Sequence, residues 1–227
     1  MRRTFHRLFA ALVILPLSAP QPAVSQPAGP RFTDVTTQAG INFRHVSTPE
    51  KRYIVESMSG GVALFDYDND GFLDIYLVNS LTVDIVKSKG KTRSVLYRNR
   101  GDGTFDDVSV SAGIAKHIGK GMSVAIADYD HDGDVDAFVT NDTVPNFLFR
   151  NNGDGTFAET ALTAGVAVPE SGRPISGMGV DFQDYDNDGW EDIHMTGISG
   201  ETFPLFRNES ATRPGTFADA TASSGIA

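Results

Sequence analysis

One nine-residue acidic loop occurs three times in this chain. Asp66-Tyr67-Asp68-Asn69-Asp70-Gly71-Phe72-Leu73-Asp74 is repeated with few changes at Asp128–Asp136 and again at Asp184–Asp192. Carboxylates stand at loop positions 1, 3, 5 and 9, and Gly at position 6. Alternate Asp side chains on a tightly turning backbone converge on one point, and the residue at position 7 can add its main-chain carbonyl, which makes a set of hard oxygen ligands suited to Ca²⁺. Two carboxylates ~4 Å apart repel by about 4 kcal/mol at an effective dielectric of about 20. A loop that repeats this penalty three times is expected to hold a cation. Turn propensity alone asks for one or two such residues, not four acids.

The loop is not an EF-hand, which needs a bidentate Glu at position 12 and a helix on each side. Position 12 here is Leu77, Val139 or Met195. Apolar residues stand four and two places before each first Asp (Val62 and Leu64, Val124 and Ile126, Val180 and Phe182) and alternate again after the last one (Ile75/Leu77, Ala137/Val139, Ile193/Met195). That period of two belongs to strands. Each loop is therefore expected to tip a β-hairpin, with about three Ca²⁺ sites in all. The candidate ligands are Asp66, Asp68, Asp70, Phe72 and Asp74 in the first loop. The second loop offers Asp128, Asp130, Asp132, Asp134 and Asp136, and the third Asp184, Asp186, Asp188, Trp190 and Asp192, with position 7 acting through its carbonyl.

A longer unit encloses each loop. Downstream of each hairpin comes Leu96-Tyr97-Arg98-Asn99, Leu148-Phe149-Arg150-Asn151 or Leu205-Phe206-Arg207-Asn208, then a Gly-rich turn ending in Thr104-Phe105, Thr156-Phe157 or Thr216-Phe217. A closing strand follows, running to Ala112-Gly113-Ile114, Ala164-Gly165-Val166 and Ser224-Gly225-Ile226. Four strand candidates and three turns recur at loop spacings of 62 and 56 residues, the period of a four-stranded β-propeller blade. Three blades are expected at about 59–114, 115–167 and 168–227, preceded by an extra strand at 31–41.

Together, Phe65-Asp66-Tyr67-Asp68-Asn69-Asp70-Gly71, Leu96-Tyr97-Arg98-Asn99 and Gly101-Asp102-Gly103-Thr104-Phe105 resemble FG-GAP/VCBS repeats, as in the integrin α-subunit propeller. The opening Phe32-Thr33-Asp34-Val35 and Ala39-Gly40-Ile41-Asn42-Phe43-Arg44-His45 is similar to the start of the cartilage acidic protein and ASPIC/UnbV-type family. The resemblance covers about 31–227. It implies an all-β fold, an extracellular propeller whose blade loops hold Ca²⁺, and ligand roles for Asp66, Asp68, Asp70, Asp74 and their counterparts. The family's ASPIC/UnbV region has no match in this sequence. Integrin-like propellers have seven blades where three are written here, so the chain reads as part of a larger propeller, with closure by self-association or an open stack as the alternatives, since a three-blade arc leaves blade edges exposed.

Residues 1–25 read as a secretory signal peptide, with Arg2, Arg3 and Arg7 ahead of an apolar run from Leu8 to Leu17 and Ala23-Val24-Ser25 at the cleavage point. Residues 26–30 read as a short leader. Removal of the signal takes three arginines and no acids, so the formal charge moves from −10 to −13. That acidity disfavours nucleic acid and anionic membranes, and no later segment is long and apolar enough to span a bilayer. There is no Cys, hence no disulfide framework.

Other motifs weigh less. Arg100-Gly101-Asp102 spells an adhesion tripeptide but belongs to the repeat's own turn. His131, at loop position 4, is expected to be a solvated turn residue, while His45, His117 and His194 stand far apart. Ser57, Ser59 and Ser123 lie near glycines but in no nucleophile motif. The sequence thus predicts an exported, non-enzymatic scaffold for a protein or glycan ligand, with the blade rims and long inter-blade loops such as Ser80–Lys91 and Pro169–Pro174 as the places of contact. The alternatives are the non-catalytic propeller of a larger extracytoplasmic enzyme, or a periplasmic assembly factor.

Overall fold

The structure is a computed structural model that describes residues 29–51, Glu56 and 59–226. The expected signal segment, 1–25, lies outside these residues. The chain divides after Asp34 into two compact units, and all the sheets belong to the second, Val35–Ala227.

The fold is all-β: three four-stranded antiparallel blades. The first comprises β1 (Val62–Phe65), β2 (Asp74–Leu77), β3 (Val95–Asn99) and β4 (Phe105–Asp107). The second comprises β5 (Gly121–Ala127), β6 (Asp136–Asn141), β7 (Phe147–Asn151) and β8 (Phe157–Glu159). The third comprises β9 (Val180–Gln183), β10 (Asp192–Met195), β11 (Leu205–Asn208) and β12 (Phe217–Asp219). Within each blade the strands pair in sequence order. The acidic loops close the first hairpins, with Phe65 opposite Asp74, Ala127 opposite Asp136 and Gln183 opposite Asp192.

Alternation along the strands gives each blade two faces. In the first blade, Ala63 and Phe65 turn inward while Val62 and Leu64 are exposed. In the second, Val124 and Ile126 pack back on the first blade's core with Ala137, Val139 and Phe149. A second core joins Ala125, Phe138 and Leu148 to Phe182, Ile193, Met195 and Phe206 of the third blade. Apolar surface is therefore buried between blades, where each large side chain contributes about 1.5–3 kcal/mol.

Three expectations need correction. The closing strands are only three residues long; 109–113 is a turn, and the later copies end in one-turn helices, α2 (Ala161–Ala164) and α3 (Thr221–Ser224). The segment 31–41 likewise contains a turn at Thr36–Gly40 and no strand. Its Ala39 oxygen instead accepts from Phe105 N at 2.9 Å, as the Ala112 oxygen accepts from Phe157 N at 2.9 Å. The stop of one repeat thus rests on the Thr-Phe strand of the next. Gly40, Gly113 and Gly165 adopt left-handed φ values of 76°, 81° and 84° there, and a Cβ would meet the following Phe oxygen at 3.2, 3.2 and 2.9 Å. Only glycine meets both demands without strain. The Ser80–Lys91 loop runs between two strands of one blade rather than between blades, and carries α1 (Val83–Lys87), capped by Thr82.

Candidate metal centres

The three loops fold alike because the same atoms meet the same partners. The first Asp of each accepts from the amides at positions 5 and 6: Asp66 from Asp70 and Gly71 at 3.0 and 2.8 Å, Asp128 from Asp132 and Gly133 at 3.0 and 3.0 Å, Asp184 from Asp188 and Gly189 at 3.1 and 2.9 Å. The Asp at position 5 accepts from the amide at position 7 at 3.0 Å in every copy. Position 4 sits in the left-handed region in all three, at Asn69 (φ 56°), His131 (57°) and Asn187 (60°).

Position 9 does different work. Asp74, Asp136 and Asp192 are fully buried or nearly so. Each accepts from the amide of the loop's Tyr and from the amide of the Asn that ends the third strand: Asp74 from Tyr67 and Asn99 at 3.0 and 2.7 Å, Asp136 from Tyr129 and Asn151 at 3.2 and 2.8 Å, Asp192 from Tyr185 and Asn208 at 3.1 and 2.7 Å. Burial, above all, pushes these carboxyls up, to about 6 at Asp74, about 8 at Asp136 and about 6 at Asp192, and the neighbouring loop acids add to the rise.

Carboxylate oxygens converge as the spacing predicts, in slightly different sets. Asp66, Asp68 and Asp70 bring ligand atoms within 4.8 Å of one another, as do Asp128, Asp130 and Asp136, and Asp184, Asp186 and Asp192. These three clusters could hold a metal ion. Asp68 Oδ1 and Asp130 Oδ1 are buried without a hydrogen-bond partner, and burial also raises the Asp130 carboxyl. Unpartnered oxygens among like charges fit a cation's donor set. In the first loop Arg98 lies against Asp68 and Asp70, at 2.6 and 2.9 Å. Arg207, its counterpart in the third blade, pairs with Glu209 instead.

Position 7 carries a second role that spacing did not suggest. A Cβ on Gly101 would meet the Phe72 ring at 2.6 Å, and one on Gly153 would meet Asp134 Oδ2 at 2.5 Å. His131 is not simply a solvated turn residue: its ring stacks on Trp190 at 4.2 Å, and Nε2 lies 3.0 Å from Glu191 Oε2. Asn69 likewise donates to Asp134 at 2.7 Å. Position 4 of one loop therefore touches position 7 or 8 of the next, a link that only the blade-to-blade spacing creates.

The adhesion-like tripeptide is engaged locally. Arg100 pairs with Asp106 at 2.7 Å, and Asp102 accepts from Thr104 N at 2.9 Å. His45 contacts Ser59 at 2.8 Å, and His117 packs on Phe147 and Phe149.

Four-stranded blades joined through acidic loops define a repeat protein of the propeller class. The sequence matches the FG-GAP-like repeat at residues 66–139 and 132–195. The chain belongs to the FG-GAP-like repeat family. It is 35% identical over 136 residues to cartilage acidic protein 1 of Homo sapiens, 35% over 137 residues to that of Mus musculus, and 31% over 140 residues to that of Xenopus tropicalis. These matches cover 58%, 58% and 60% of this chain but 20% of each relative, so the chain spans about a fifth of their length. A solved Agrocybe aegerita lectin, described as specifically recognising non-reducing terminal N-acetylglucosamine, has a TM-score of 0.38 and 23% identity, over 71% of this chain and 37% of the lectin. No helix among the described residues is long and apolar enough to cross a membrane.

Proposed function

We propose that this chain is an exported calcium-binding scaffold whose loops use Ca²⁺ structurally and whose blades present a surface to a protein or glycan ligand. The observation that carries the reading is the threefold convergence of carboxylate oxygens at the hairpin tips. Asp66, Asp68 and Asp70 would hold one ion, Asp128, Asp130 and Asp136 the second, and Asp184, Asp186 and Asp192 the third. Carbonyls of Phe72, Asp134 and Trp190 and carboxylates of Asp74, Asp132, Asp134 and Asp188 complete the candidate sets. A bound Ca²⁺ supplies charge neutralisation and cross-links the two strands of each hairpin.

The residues themselves do the rest. The position-1 Asp shapes the turn, and the position-9 Asp ties the loop to the third strand. Modules outside the cell bind Ca²⁺ with Kd on the order of 10⁻⁴–10⁻³ M, and a 100-fold excess over Kd adds about 2.7 kcal/mol per site. No catalytic role is proposed. General-acid work requires a carboxyl held protonated near neutrality, and a bound cation drives the opposite shift.

Thermal unfolding with Ca²⁺, with Mg²⁺ and with excess chelator tests the reading. A large upward shift with Ca²⁺ alone supports it. Identical unfolding of the folded chain in Ca²⁺ and in chelator would sink it.

A further inference from the structure

The three loops are not equally free to take a cation. In the first, a guanidinium already lies on the ligand set: Arg98 Nε stands 2.6 Å from Asp68 Oδ2, and its Nη2 stands 2.9 Å from Asp70 Oδ2. Asp68 and Asp70 are two of the three acids whose oxygens converge there. The counterparts of Arg98 are engaged elsewhere. Arg207 lies 3.3 Å from Glu209. Arg150 makes no ion pair among the described residues, although its charge still acts on Asp130. The convergent sets differ in step with this. The first draws on loop positions 1, 3 and 5, whereas the other two draw on positions 1, 3 and 9.

The cause lies two residues downstream of each arginine, where the repeats have Arg100, Asn152 and Glu209. In the third blade Glu209 supplies a local carboxylate, and Arg207 takes it. In the first blade the cross-strand register sets Arg98 opposite Asp106. Arg100, however, holds both oxygens of that carboxylate, at 2.7 and 2.7 Å. The other blades have Ala158 and Ala218 in the place of Asp106. Arg98 therefore loses its cross-strand acid to a neighbouring arginine and turns to the loop.

We propose that Arg98 is a built-in competitor for the first calcium site, held there by Arg100, so that the chain fills its second and third loops before its first. The inference rests on the calcium reading and adds an order of filling to it. An ion pair and a metal bond need the same oxygens, and a guanidinium in contact with two ligands also repels the incoming double charge. Arg98 must swing into solvent before the ion can settle, and its side chain, 45% exposed, has room to do so. The first hairpin then tightens only at Ca²⁺ concentrations above those that saturate the other two. Arg100 acts through Arg98 and is a positioning residue.

The test follows the full chain by ¹⁵N NMR during Ca²⁺ addition, with the position-6 amides of Gly71, Gly133 and Gly189 each reporting one loop. Gly133 and Gly189 are expected to saturate first and Gly71 last. Arg98→Met should lower the Gly71 midpoint by about two- to thirtyfold, the range that two partly exposed ion pairs span, and leave the other two in place. Arg100→Asn, which installs the residue type of the second blade, frees Asp106 for Arg98 and should move Gly71 the same way. Made on top of Arg98→Met, it should add less than about twofold, since it acts only through that side chain. In the unmodified chain the Arg98 Nε–H resonance should shift along the Gly71 curve as the guanidinium leaves. A Gly71 midpoint at or below the other two would overturn the proposal. So would one that Arg98→Met raises or leaves unmoved. Failure of the calcium reading looks different: none of the three glycine amides responds to Ca²⁺ in any variant, and the proposal falls with it.

Discussion

The Asn151 side-chain amide donates to the main-chain oxygen of Tyr67, 2.7 Å away and 84 residues earlier in the chain. The same amide also reaches the Val135 oxygen at 3.2 Å. Asn208 repeats the device, donating to Tyr129 O at 2.9 Å and Glu191 O at 3.0 Å. The first two loops are thus braced both by their own third strand and by the blade that follows.

Replacing Asn151 should therefore damage the joint between blades, not just a turn. Asn151→Ala leaves two carbonyl groups in a buried setting without this donor, at about 1–3 kcal/mol for each unsatisfied group. Asn99 donates only to Leu73 O, at 2.9 Å in an exposed position. Asn99→Ala should cost clearly less. Urea unfolding of the two variants side by side checks the order, and equal losses would count against an inter-blade role for Asn151.

The glycines at the repeat stops offer an internal control. Gly165→Ala places a Cβ 2.9 Å from Phe217 O at φ 84°, whereas Gly225→Ala at φ 79° meets nothing within 4 Å. Both variants incur the left-handed backbone term, about 1–2 kcal/mol. Only Gly165→Ala also forces the seam apart, so it should unfold at the lower temperature in differential scanning calorimetry.

The loops and hairpins were legible because two local periodicities coincide, the Asp-x-Asp-x-Asp-Gly turn and the alternation of Val62/Leu64 or Ile193/Met195. What stayed hidden depends on a neighbour that one repeat does not contain. Asn151 reads as the end of a strand until Tyr67 lies beside it, and His131 reads as a solvated turn until Trp190 does. The closing strands were overextended because Val108 and Ala112 continue an apolar pattern that the fold spends on a turn.

The metal-free chain should lose stability as pH rises. Asp74, Asp136 and Asp192 have folded values of about 6, about 8 and about 6, above the ordinary carboxyl value near 3.9. The folded state then binds more protons than the unfolded one, so their contribution is fully present below about 4 and is lost as pH climbs through about 6 to 8. In chelator the unfolding temperature should fall across that window. Saturating Ca²⁺ should restore it near neutrality, since metal and proton compete for the same oxygens. A chelated chain that grows more stable from pH 5 to 8 would contradict these shifts.

Asp130→Asn separates the charge penalty from the metal's benefit. Its Oδ1 is buried without a partner, so in chelator removal of the charge should be neutral or stabilising, by up to roughly 1 kcal/mol. In Ca²⁺ the same variant should forfeit one site's increment, about 2.7 kcal/mol at 100-fold excess. A change of sign between the two conditions is the expected signature. Destabilisation by the same amount in both would make Asp130 a turn residue only.

Trp190 gives the third loop its own reporter. It is the one Trp of the chain, stands at loop position 7, and stacks on His131 of the second loop at 4.2 Å with nearly parallel rings. An ion held by Asp184, Asp186 and Asp192 draws on the backbone that carries this ring, so Ca²⁺ addition should change Trp emission along a single saturation curve. His131→Ala removes both the stacked ring and the partner of Glu191, and leaves every loop carboxylate in place. That variant should shift the emission of the metal-free chain while Ca²⁺ still titrates. Its Ca²⁺ midpoint should move by about two- to twelvefold, because a stacked contact between neighbouring loops is worth about 0.5–1.5 kcal/mol. An unchanged spectrum and an unchanged midpoint would show that the two loops bind independently and that the stack is incidental.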